Sequence, residues 1–142
     1  MSWDARFLAL AKHIAEWSKD PSTKVGAVVV DDHRRLVGAG YNGLPRGVTD
    51  HPDLPRDEKL RRTIHAEANA LLFSARTEGC TLYVTHPPCS SCAATAIQAG
   101  ITRIVAITPA PEFAERWAES CKSTEAMLAE AGIEYELREI AP

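Results

Sequence analysis

Two short stretches carry residues whose types and spacing could do chemistry: His65-Ala66-Glu67 and Pro88-Cys89-Ser90-Ser91-Cys92. Two cysteines three positions apart at the start of a helix can turn both sulfurs toward one ion. The helix N-terminus itself favours thiolate over thiol. An imidazole at the start of a neighbouring helix would complete a His-Cys-Cys set. That is three protein ligands for Zn2+, with the fourth tetrahedral position left to water. Water on zinc has its pKa lowered toward ~7, and a carboxylate such as Glu67 beside it can take the proton and pass it to a leaving group. This chemistry suits hydrolytic attack on an electrophilic carbon whose leaving group must be protonated. Taken alone, Cys-x-x-Cys is also a redox pair or half of a structural zinc site, which Cys80 or His86 could complete. Taken with His-x-Glu in strand–helix contexts, it points to catalytic zinc.

The elements that must position these residues follow from periodicity. Residues 2–17 read as an amphipathic helix capped by Ser2, with Phe7, Leu10, Ala11, Ile14 and Trp17 on one stripe. Residues 18–24 break it at Pro21 and form a polar run, either a plain connection or a rim for an anionic ligand. Residues 25–31 are β-branched and apolar, a strand covered on both faces. A turn at 31–34 joins it to a second strand, 36–41, as a hairpin. There Gly38 and Gly40 permit close approach by another backbone or a ligand. A loop runs from 42 to about 57, and 58–63 is a short helix or an extended approach. From Ile64 to about Ala75 an Ala/Leu-rich helix is apolar nearly all round, hence buried against a sheet and ended by 77–79. Strand 80–85, helix 90–98, strand 103–107, one or two helices over 111–121 and 123–131, and an edge-like strand 133–137 complete the order. The expected architecture is a three-layer α/β/α sandwich with one mixed five-stranded sheet, a single domain over residues 1–142.

Composition bounds the partners. The 142 residues carry a net charge of −3 and only one short basic cluster, Lys59-Leu60-Arg61-Arg62, which argues against a nucleic-acid partner. No apolar run approaches a membrane span, and the first residues lack the pattern of a signal peptide, so a cytoplasmic location is expected. In that reducing setting Cys-x-x-Cys favours metal over disulfide. Cys80 and Cys121 read as small core residues, His13 as partly buried, and His33 and His51 as solvated.

The paired motifs resemble the H-x-E…P-C-x-x-C signature of the zinc nucleobase deaminases. The resemblance runs from about Trp17 to Ile107 and implies the cytidine-deaminase-like sandwich. It makes His65, Cys89 and Cys92 the ligands of one zinc per chain and Glu67 the proton shuttle. Residues 18–27 and 40–47 are similar to those of the deoxycytidylate (dCMP) deaminases, which convert dCMP to dUMP and ammonia. By that likeness Asn42 helps hold the nucleotide, the amide of Ala66 faces the base, and groups near Ser18, Lys19 and Lys24 meet the 5′-phosphate. It also implies a small-molecule deoxynucleotide substrate, a homo-oligomer (hexamer or dimer), and control by dCTP and dTTP. The region between Gly47 and His65 is short and has no cysteine, so no second, structural zinc is expected. A cytidine, guanine or tRNA adenosine deaminase and a non-catalytic zinc module remain the competing readings.

Overall fold

A computed structural model describes residues 1–140. At its centre runs β1 (Gly26–Val30), buried along its whole length because helices cover both of its sides. Its side chains alternate. Val28 and Val30 pack with Phe7, Leu8, Ala11 and Ile14 of α1 (Trp3–Ala15). Ala27 and Val29 pack with Ala66 and Ala70 of α3 (Ala66–Leu72), Ala96 of α4 (Ser90–Gln98) and Leu128 of α6 (Ala118–Glu130). Each fully buried Val or Leu contributes roughly 1.5–3 kcal/mol of apolar burial. Together these two clusters hold the layers to the sheet.

The sheet has five strands in the order β2-β1-β3-β4-β5, where β2 is Leu36–Tyr41, β3 Thr81–Val84, β4 Arg103–Ile107 and β5 Glu134–Arg138. β1 pairs antiparallel with both β2 and β3, while β3, β4 and β5 pair in parallel. The mixed three-layer sandwich expected from the sequence is the observed fold. β5 is the half-exposed edge that its alternation suggested. No described helix is long and apolar enough to cross a membrane.

Glycine lets a helix lie close to the edge strand. A Cβ on Gly40 would fall 2.4 Å from the Ala70 nitrogen, and one on Gly38 would fall 2.9 Å from the Ala70 carbonyl oxygen. The backbone of α3 therefore rests directly on β2, which sets the height of its N-terminus.

Four boundaries differ from expectation. The amphipathic helix ends at Ala15 and continues to Ser18 as tight turns, with Glu16, Trp17 and Ser18 donating to carbonyls three residues back. Trp17 consequently leaves the core stripe and is 55% exposed. α3 stops at Leu72, because the Ala75 N–H turns away to the Val37 carbonyl on β2. Leu72 and Phe73 then face outward, so the helix is not buried all round. Residues 58–62 fall in a short helix, one of the two expected forms, but that helix, α2 (Arg56–Arg62), starts two residues earlier, and Thr63 is its extended C-cap. The C-terminal region forms two helices, α5 (Pro111–Arg116) and α6, which break at Trp117 and not near residue 122. Cys80 is buried as expected, Cys121 is only half-buried, and His13 is exposed.

Candidate metal centre and the loops beside it

α3 and α4 pack side by side, and each begins on a residue of the motif. His65 is the N-cap of α3 and Cys89 the N-cap of α4; both have extended backbone, and neither side chain caps its own helix. An N-cap side chain ordinarily accepts from an N–H of the first turn. Here the imidazole and the thiol turn to each other. His65 Nδ1 lies 3.2 Å from Cys92 Sγ and 3.5 Å from Cys89 Sγ. The three ligand atoms all fall within 4.8 Å of one another. A tetrahedral zinc with bonds of about 2.3 Å to sulfur and 2.0–2.1 Å to nitrogen sets an N···S edge of roughly 3.5 Å. The cluster thus suits one zinc ion in donor type and in spacing.

The two cysteines divide one proton between them, Cys89 favoured as thiolate and Cys92 as thiol. The hydrogen bond from Cys92 brings the Cys89 thiol down to about 4, against burial and with help from His65. The same pairing, with burial, pushes Cys92 up. His65 is raised by its bond to Cys89, which outweighs its burial. Glu67, the second residue of α3 and 5% exposed, is pushed up to about 7 by burial, opposed by its own backbone N–H and by the His65 charge. A carboxyl poised near neutrality can hold a proton and release it.

Neither alternative ligand joins the cluster. The Cys80 thiol faces the Arg76 and Glu78 carbonyls, each at 3.8 Å. His86 lies against the Phe113 ring with centroids 5.2 Å apart, and its Nδ1 is 3.2 Å from the Thr85 hydroxyl. Burial lowers its pKa.

The loop of residues 18–24 is folded onto the end of β2. The Asn42 side chain accepts from the Val25 N–H and donates to the Thr23 carbonyl, both at 2.9 Å. The Ser18 hydroxyl donates to the Asn42 carbonyl at 2.8 Å and accepts from the Asp20 N–H. Both residues are buried, and their side chains brace the backbone of this loop. Lys19 and Lys24 are exposed. Gly43 and Ile64 exchange backbone hydrogen bonds of 3.1 and 2.8 Å, tying the Asn42 segment to the residue before His65. Ala66 is fully buried and, as the first residue of α3, carries one of the N–H groups that a helix cannot satisfy from within.

Two residues of this region were not singled out from sequence. Asp20 accepts from the Ser22 and Thr23 N–H groups at 2.9 Å each. Arg56, from α2, meets both carboxylate oxygens at 3.2 Å and the Ser22 hydroxyl at 2.7 Å. Asp20-Pro21-Ser22-Thr23 is a recognisable turn signal. The arginine lies 36 residues away and carries none.

Comparison with known proteins places this geometry in context. A family model described as the cytidine and deoxycytidylate deaminase zinc-binding region matches residues 1–108. An uncharacterised deaminase of Aliivibrio fischeri is 45% identical over 134 residues, covering 93% of this chain and 90% of that one. The deoxycytidylate deaminase of mouse is 40% identical over 114 residues, covering 74% of this chain and 64% of its own length. The crystal structure of a dCMP deaminase from the cyanophage S-TIM5, in complex with dCMP and dUMP, has a TM-score of 0.77. It is 25% identical, with 94% of each chain covered.

Proposed function

We propose that this chain, which belongs to the cytidine and deoxycytidylate deaminase zinc-binding family, hydrolyses dCMP to dUMP and ammonia. The observation that carries the reading is the buried Glu67 beside a His65, Cys89 and Cys92 cluster suited to one zinc. The substrate rests on the likeness to the mouse enzyme and to the cyanophage enzyme that holds dCMP and dUMP.

His65, Cys89 and Cys92 would hold the ion, which when bound supplies a Lewis acid that lowers the pKa of water toward ~7. Glu67 takes a proton from the attacking water as the C4–O bond forms, and delivers it to ring N3. It then takes the proton of the new C4 hydroxyl and passes it to the amino group as the C4 carbonyl forms and the C4–N bond breaks. Water is consumed, ammonia leaves, and Glu67 ends as it began. A carboxyl held near neutrality serves both directions of transfer. The amide of Ala66 faces the base. Ser18 and Asn42 shape the nucleotide side of the pocket by holding residues 18–24, and exposed Lys19 and Lys24 offer charge to the 5′-phosphate.

The same reading extends to a cytoplasmic homo-oligomer, hexamer or dimer, under dCTP and dTTP control. Trp17, Tyr41, Leu72 and Phe73 leave apolar surface around a cavity of about 540 Å³, the kind of surface a second copy covers. Light scattering reads out the assembly, and ammonia release from dCMP with and without dCTP or dTTP reads out the control. The direct test is ammonia release from dCMP, dCTP, deoxycytidine, guanine and tRNA by zinc-loaded protein. Turnover of dCMP should exceed the others by at least about tenfold. A preference for guanine or tRNA would transfer the assignment to another branch of the family.

A further inference from the structure

The helix α6 lies wholly beyond residues 1–108, the part matched by the family model. Ser120 and Thr124 stand one helical turn apart and therefore share a face. That face meets the segment carrying Cys89. The Ser90 N–H donates to the Ser120 hydroxyl oxygen at 2.8 Å, and the Ser120 hydroxyl reaches the Ser90 hydroxyl at 3.3 Å. The Thr124 hydroxyl donates to the Pro88 carbonyl at 3.0 Å. Thr124 is fully buried, and so is Pro88. One turn further, Leu128 is 1% exposed and anchors the helix in the same core cluster as Ala96 of α4.

These bonds bracket Cys89 from both sides. Cys89 is the N-cap of α4 and makes no side-chain cap of its own. Its sulfur faces His65 and Cys92, so it cannot also satisfy the N–H groups of the first turn. Ser120 supplies that acceptor from a different helix. Thr124 fixes the carbonyl on the other side.

We propose that Ser120 and Thr124 are positioning residues for the metal centre: they set the backbone of residues 88–90 so that the Cys89 sulfur meets its partners without reorganisation. This rests on the reading of Cys89 as a zinc ligand. Outer partners that orient a ligand typically govern metal affinity by 10–100-fold. Cys92 lies inside α4 and is set by the helix itself, so the effect acts through Cys89.

The test is zinc affinity by chelator competition, with melting temperatures of apo and zinc-loaded protein, for wild type, Thr124→Val, Thr124→Ser, Ser120→Ala and the Ser120→Ala/Thr124→Val double variant. Thr124→Val keeps the volume and removes the hydroxyl. It should weaken zinc binding about 10–100-fold and narrow the gap between the two melting temperatures. Thr124→Ser should restore both. Should Thr124→Val fail to fold, Ser120→Ala, at a half-buried position, carries the test with a loss of about tenfold. Zinc affinities within twofold of wild type in the variants that fold, with apo and loaded proteins destabilised equally, would make the role merely structural and overturn the proposal. Wild-type protein that binds no zinc would overturn the metal reading itself and the proposal with it. That outcome is distinct from zinc-binding wild type with unaltered variants.

Discussion

His65, Cys89 and Cys92 sit on backbone held by the core, whereas residues 18–24 are held by side chains. His65 and Cys89 are the N-cap residues of α3 and α4, and Cys92 lies in the first turn of α4; the inner faces of both helices belong to one apolar cluster with β1, β3 and β4. The loop is kept in place by Asn42, Ser18, Asp20 and Arg56, through hydrogen bonds at the edge of the sheet. The difference separates two requirements. A metal centre must be set to tenths of an ångström and uses the least deformable part of the fold. A surface that chooses among substrates can rest on a few polar contacts, which change without disturbing the chemistry.

The two regions should therefore fail differently. The largest effect is expected from Cys92→Ala, which removes one sulfur of the candidate metal cluster from the first turn of α4. Metal analysis should find zinc lost and turnover below about 10⁻³ of wild type. Retention of a full equivalent of zinc would remove Cys92 from the ligand set. Next comes Gly40→Ala, whose methyl would meet the backbone of α3. Overpacking of this kind costs about 1–3 kcal/mol. Because α3 carries His65 and Glu67, zinc affinity should fall together with the melting temperature. A loss of stability with unchanged zinc affinity would mean that α3 moves without moving its ligand.

Arg56→Ala should act on the loop alone. It removes both contacts to the Asp20 carboxylate and the one to Ser22. The arginine is partly exposed, so the stability change should be about 1 kcal/mol or less. The KM for dCMP should rise about 3–10-fold with kcat within twofold, as for a change in binding that ground and transition states share. Equal losses in kcat would show that the loop acts on the chemistry.

The smallest effect concerns pH. Burial would raise Asp20, but the N–H groups of Thr23 and Ser22 and the Arg56 guanidinium overcome it and bring the carboxyl down to about 2, from an ordinary 3.8. The folded state then binds fewer protons than the unfolded state between those values. The stability Asp20 contributes is complete above pH about 4 and is lost as pH falls through about 2. Urea midpoints across that window should fall less steeply in Asp20→Asn than in wild type. Parallel curves would place the acid sensitivity elsewhere.

The sequence made the metal centre legible because thiolates and imidazole at those spacings have few other uses. The sheet was legible because strands buried on both faces, such as residues 25–31, and the alternating edge strand have characteristic patterns. What escaped notice depends on contacts between distant residues. Ala75 favours helix, yet its N–H goes to Val37 on β2 and the helix ends early. Arg56 looks like any charge on a short helix until the fold sets it against Asp20. Ser120 and Thr124 have the composition of a solvent-facing turn, yet Thr124 is fully buried against Pro88. For Asn42, the sequence named the residue but not the direction of its side chain, which runs to the backbone of its neighbouring loop.

The central claim is that Glu67 moves protons while His65, Cys89 and Cys92 hold the metal. Glu67→Gln tests it with almost no change in shape. The protein should bind one equivalent of zinc, as wild type does, and its kcat for dCMP should fall about 10²–10⁴-fold, the range expected for a lost general acid–base group. Turnover close to wild type in the zinc-loaded variant would contradict the account.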